Sequence, residues 1–160
     1  MKFKIDYTGN PEKKNLVYHS DEYSFDMKPW VNIMDIELAL NRLTLTVVSN
    51  EVIQVNGFCG LAGYMNSNIC IPEYSKGKLK IEHNLKDGFA YAIYNEDQPV
   101  YLNIQSGWVC IGNPLKLGDA VEFIQNCVAV ISADGELLSL WLKPKSLPKF
   151  EEYNKKDAST

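Results

Sequence analysis

The side chains with most chemistry to offer are four thiols, Cys59, Cys70, Cys110 and Cys127, and two imidazoles, His19 and His83. A cysteine nucleophile needs a base within hydrogen-bond reach and an electropositive setting that favours the thiolate. Neither histidine stands in a motif with a cysteine, and Cys110 and Cys127 lie inside apolar runs, where cysteine acts as a small hydrophobe. Cys59 and Cys70 sit in loop-like surroundings and keep more scope for reactivity. Zinc would call for a C-x2–4-C knuckle or histidines three to five residues apart, and the chain has neither. We therefore assign no catalytic, cofactor-binding or metal-binding residues, and expect no cofactor.

Carboxylates are plentiful but unremarkably placed. Glu122 falls in the apolar run Ala120-Val121-Glu122-Phe123, and strict alternation makes it the outward member of a half-exposed strand. Glu96-Asp97 and Glu151-Glu152 read as solvated loop and tail charges. Tyrosines in polar, Gly/Asn/Ser-rich stretches are another matter, because exposed Tyr offers large contact area at low entropic cost. Tyr64, Glu73, Tyr74, Glu96 and Asp97 are accordingly the candidate partner-binding residues. An alternative is a small β-fold enzyme or ligand-binding domain, which requires a pocket holding Glu122, His83 or Cys59 with convergent polar groups.

The elements that must position these residues read as strands. The clearest is a hairpin: Asn126–Ile131 and Glu136–Leu142 are apolar runs on either side of Ser132-Ala133-Asp134-Gly135, where Gly accepts positive φ. Both runs are apolar at successive positions, so both faces of this hairpin should be covered. Lys2–Tyr7 alternates and predicts a strand, whereas Leu16–Met27 has no clean period and is expected to be irregular or a weak strand. Residues 30–40 fit two templates. Ile33, Ile36 and Leu40 suit a helical face, but the alternation of Ile36, Leu38 and Leu40 ahead of Leu43–Val48 favours two strands turning at Asn41-Arg42. Ser49-Asn50 then turns into Glu51–Val55, followed by a loop carrying Gly57, Gly60 and Gly63 with no phosphate-binding signature. Further on, Leu79–Glu82 alternates, Phe89–Tyr94 and Val100–Ile104 predict a hairpin around Asn95–Pro99, and Trp108–Ile111 is another strand.

Some ten short strands with turn signals between them predict a mainly β fold with little helix: an antiparallel sandwich or strongly curled sheet built from hairpins. At 160 residues this is one domain, taken as 1–148, with 149–160 a polar, flexible tail. The net charge of −4 and a single arginine, Arg42, argue against nucleic acid as a ligand. The N-terminus lacks a secretory h-region, and no apolar window is long enough for a membrane span, so a cytoplasmic location with free thiols is expected.

Several of these stretches resemble a known group. Gly107-Trp108-Val109-Cys110-Ile111-Gly112, Ala120-Val121-Glu122-Phe123, Gly135-Glu136-Leu137 and Leu140-Trp141-Leu142-Lys143-Pro144 are similar to segments of small bacterial immunity proteins, as is Val55-Asn56-Gly57-Phe58-Cys59. These proteins belong to contact-dependent growth inhibition and related polymorphic toxin systems. The resemblance implies a cytoplasmic, non-enzymatic inhibitor that binds a cognate toxin domain, expected to be a nuclease, and occludes its active site or substrate path. It assigns no individual contact residue.

Overall fold

The computed structural model describes residues 1–61 and 67–147. Fourteen strands and no helix occur among them: β1 (Lys2–Asp6), β2 (Asn15–His19), β3 (Ser24–Lys28), β4 (Ile36–Leu40), β5 (Leu43–Val48), β6 (Glu51–Phe58), β7 (Ser75–Lys76), β8 (Lys78–Glu82), β9 (Ala90–Ala92), β10 (Val100–Asn103), β11 (Trp108–Gly112), β12 (Asp119–Ile124), β13 (Cys127–Ile131) and β14 (Leu137–Leu142). They form two sheets. The first runs β1-β8-β6-β5-β4-β9 with the β2–β3 hairpin attached through β3; the second runs β10-β11-β14-β13-β12-β7. The mainly β, curled architecture expected from the sequence is what the chain adopts. No helix of the described residues is long and apolar enough to cross a membrane.

Local chemistry explains the turns. Leu40 pairs with Leu43 across Asn41-Arg42, which resolves residues 36–48 as two strands, and Asn41 takes positive φ. Val48 pairs with Glu51 across Ser49-Asn50, and both turn residues are left-handed, as a two-residue hairpin turn of matching twist requires. Residues 29–35, where a helical face also fitted, form no regular element. Gly135 closes the β13–β14 hairpin at positive φ, and its carbonyl accepts from Phe3 N at 2.8 Å. That bond ties the edge of the first sheet to the second.

The sheets also share a strand in all but name. Gly77 alone separates β7, which pairs with β12 in one sheet, from β8, which pairs with β1 in the other. A Cβ on Gly77 would lie 2.6 Å from the Asp6 carbonyl oxygen, so the crossing needs glycine. Curling of the first sheet appears at β6, whose far edge is shared by β8 at Glu51 and by β3 at Gly57 and Phe58.

The main core lies between the sheets and contains Phe25, Leu38, Leu45, Phe123, Ala129 and Leu140. A second, smaller cluster occupies the opposite face of the second sheet: Trp108, Cys110, Ala120, Val128, Val130 and Trp141. Both faces of the β13–β14 hairpin are thus covered, as its continuous apolar runs require. The cover on the second face is a strap, residues 67–74. Ser67 N donates to Leu102 O and Asn103 Nδ2 donates to Ile69 O at the β10 edge, and the chain reaches the far edge where Ser75 pairs with Val121. Five strand spacings of ~4.8 Å make about 24 Å, a span eight extended residues cover at ~3.3 Å each. Ile69 and Ile71 of the strap pack on the tryptophan cluster.

Three expectations need correction. Residues 16–27 form a regular antiparallel hairpin, with Leu16 opposite Met27 and Tyr18 opposite Phe25. Alternation was hidden there because Leu16, Tyr18, Phe25 and Met27 point inward while Val17 and Asp26 point outward across a turn at Ser20–Tyr23. The hairpin expected between residues 89 and 104 does not form. β9 pairs parallel with β4 in the first sheet, whereas β10 pairs with β11 in the second. Glu122, read as outward and half-exposed, is buried, with its carboxylate accepting from Asn126 N at 3.3 Å. Residues 148–160, which include the expected tail and Glu151-Glu152, lie outside the described residues.

Candidate functional site

Four connecting segments converge at the end of β6 and enclose a cleft of about 300 Å³. The β2–β3 turn contributes Glu22 and Tyr23, the β4–β5 turn Asn41 and Arg42, the β6 end Phe58 to Gly60, and the β9–β10 connection Asp97 and Val100. Hydrogen bonds lock the segments together. Cys59 N donates to Tyr23 O at 2.8 Å, Phe58 N to Arg42 O at 3.2 Å, and the Tyr18 hydroxyl to Cys59 O at 2.8 Å. The Asn41 side chain exchanges both bonds with the Gln98 backbone, at 2.9 and 2.7 Å.

Two cleft residues other than glycine, Tyr23 and Asn41, have left-handed backbone. For Asn41 the hairpin turn accounts for it. Tyr23 is bulky, and left-handed φ costs such a residue ~1–3 kcal/mol, strain that tends to gather at binding sites. At Gly57, with φ of +126°, a Cβ would approach the Arg42 carbonyl oxygen to 2.5 Å, so glycine permits the close approach of the two cleft walls.

The electrostatics are lopsided. Asp21, Glu22, Glu96 and Asp97 are exposed on the segments that frame the cleft, against the single guanidinium of Arg42. Arg42 is stacked over Phe58, 5.2 Å from the ring centroid, and Phe58 is itself 51% exposed. The Cys59 thiol also lines the cleft, but burial pushes its pKa up to about 12, so it stays protonated and is no nucleophile at neutral pH. The same cause raises Cys110 to about 12 and lifts Cys127 well above the ordinary thiol value; Cys70 is the exposed thiol on the strap.

Of the candidate partner-binding residues, Asp97 lines this cleft and Glu96 is beside it. Glu73 and Tyr74 are exposed just before β7, at the opposite edge of the second sheet from β10, so the structure does not gather the four into one patch. Tyr64 lies outside the described residues. The residues an enzymatic pocket would have combined are also apart. Cys59 lines the cleft, and His83 borders a shallow depression with Met1, Lys2 and Glu82. Glu122 is buried in β12. No group of three or more His, Cys, Asp or Glu able to hold a metal occurs among the described residues.

Sequence reasoning missed Arg42, Phe58 and Tyr23 as neighbours. The isolated arginine was visible, but no local spacing connects a β4–β5 turn to a β2–β3 turn. No family model matches this chain, and no curated protein matches it.

Proposed function

We propose that this chain is a cytoplasmic immunity protein, which binds a cognate toxin domain and blocks it without catalysing a reaction. The observation that supports this reading is the acidic cleft around the Arg42–Phe58 stack. Arginine and exposed aromatics on a fixed backbone are the composition of interface hot spots. Four carboxylates around them would steer a basic partner, and basic character is what a nuclease needs to hold nucleic acid. A small-ligand site is the second reading, favoured by the cleft volume of about 300 Å³, at the lower end for small-molecule pockets.

The test is co-purification with the C-terminal domain encoded immediately upstream, followed by growth rescue. A stable complex that restores growth supports immunity, and Phe58→Ala with a Glu96→Lys/Asp97→Lys reversal should then weaken binding by at least about tenfold, the scale of one hot-spot side chain. Tyr74→Ala, at the far sheet edge, provides the comparison surface. An upstream product that is toxic but is neither bound nor neutralised would overturn the reading.

A further inference from the structure

Residues 29–35 join β3 to β4 and present a run of apolar side chains to solvent: Trp30 is 50% exposed, Ile33 63% and Met34 37%. An exposed apolar loop would ordinarily collapse, but this one is pinned from beneath. Gln54, fully buried, accepts from Val31 N at 2.9 Å and donates back to Val31 O at 3.2 Å. Buried Lys14 donates to Pro29 O at 2.6 Å, and at the loop's end Asp35 N donates to Val47 O while its carboxylate accepts from Ser49 N.

Between the loop and the outer face of the first sheet is a slot of about 120 Å³. Its floor is a row across three strands, for Glu37 on β4 faces Thr46 on β5, and Thr46 faces Gln54 on β6. Gln54 Oε1 is taken, by Val31 N and at 3.5 Å by Lys14 Nζ. The other two acceptors are not. Thr46 is only 5% exposed, lines the slot, and its hydroxyl has no hydrogen-bond partner among the described residues; nor has the Glu37 carboxylate. A buried hydroxyl left unsatisfied is costly, roughly 1–3 kcal/mol, and calls for a partner.

We propose that this slot receives one lysine side chain of a partner protein. The alkyl stem lies along Ile33 and Met34, the ammonium faces the Trp30 ring, and its protons go to Glu37 and Thr46. Each wall matches part of that group: aliphatic surface for the stem, the best aromatic for a cation, and a carboxylate plus a hydroxyl for a compact head. A compact ammonium with three rotatable donors can reach a carboxylate and a hydroxyl on different strands, a freedom the rigid guanidinium fork lacks. The net charge of −4 also favours a basic partner. The opposing charge is Lys14, whose own pKa is lowered by burial and whose ammonium is engaged with Pro29 O and Gln54. The inference rests on the chain being a protein-binding module, though not on the partner being a toxin.

The experiment titrates the full, isotope-labelled chain with Nα-acetyl-lysine methylamide, its norleucine and arginine counterparts, and n-butylamine, following backbone amides by NMR. Saturable shifts confined to residues 29–37, Thr46 and Gln54 are expected with the lysine compound. Norleucine, Glu37→Gln and Thr46→Val should each weaken them by about tenfold, the scale of a charge-assisted hydrogen bond, with the remaining spectrum unchanged. An equal response to norleucine, or full binding by Glu37→Gln, would overturn the assignment. Binding of butylamine without the lysine compound would overturn it too, since the slot would then take free amines. If the lysine compound binds while a toxic upstream domain is neither bound nor neutralised, the slot stands and the immunity reading falls.

Discussion

The β13–β14 hairpin and the 29–35 loop are similarly apolar stretches with opposite fates. Trp141 of the hairpin is completely buried, with its indole donating to Ser139 Oγ at 3.0 Å, whereas Trp30 is half exposed. The difference is what lies over each. The hairpin has the main core on one face and the strap on the other, so every residue from Cys127 to Ile131 loses its water. The loop has polar Gln54, Thr46 and Glu37 beneath it and nothing described above it. Burial follows from neighbours rather than from composition. The loop keeps its shape because two buried polar side chains hold its backbone, a hydrogen-bonding solution where the hairpin uses packing.

Breaking the packed side should have the larger effect. Trp141→Ala removes a fully buried indole and should cost ~3–5 kcal/mol, read as a lower denaturant midpoint. A wild-type midpoint would show that the strap and its cluster add nothing to stability. On the other side, Gln54→Leu strips the loop of both bonds to Val31 and deprives Lys14 of an acceptor, for ~1–3 kcal/mol. Its signature should be local, with faster amide exchange across residues 29–35 and little change in β13 and β14. Uniform loss of protection would mean that the loop is held by the core after all.

The thiols sharpen the contrast with the smallest effect on the molecule. Cys70, exposed on the strap, should react with a thiol reagent at neutral pH in the folded protein, while Cys59, Cys110 and Cys127 stay silent until denaturant is added. Their folded-state pKa values are raised by burial, so the thiolate fraction at pH 7 is negligible, and reactivity should rise only as pH approaches about 12 for Cys59 and Cys110. More than one fast-reacting thiol in the folded chain would show that the strap opens readily or that the β6 end is loose.

Legibility in the sequence varied with the range of the signal. Asp134-Gly135, Ser49-Asn50 and Asn41-Arg42 were readable because a hairpin turn writes its demand for left-handed backbone into two or so adjacent residues. Reading Cys110 and Cys127 as core residues held for the same reason: the adjoining strand residues, Val109 and Ile111 for one and Val128 onward for the other, are apolar. Cys59 stands in a loop just past β6, as the surrounding Gly57, Gly60 and Gly63 imply, but the scope for reactivity expected of it is absent: it is buried, with the Tyr18 hydroxyl and the Tyr23 carbonyl of another hairpin bonded to its backbone. Phe89–Tyr94 and Val100–Ile104 looked like partners since a short polar loop joins them. A short loop can equally carry the chain from one sheet to the other, and here residues 93–99 do.

What the sequence determined by itself was local: mainly β structure, the positions of most turns, and an apolar hairpin that had to be covered on both faces. Tertiary structure alone decided which segment does the covering, that Asp97 lines one cleft with Arg42, Phe58 and Tyr23, and that Glu37, Thr46 and Gln54 line up under Trp30. The physical reason is that turn chemistry and alternation act between neighbours along the chain, whereas a cleft is made by register across strands. Register depends on how all the buried faces fit together at once.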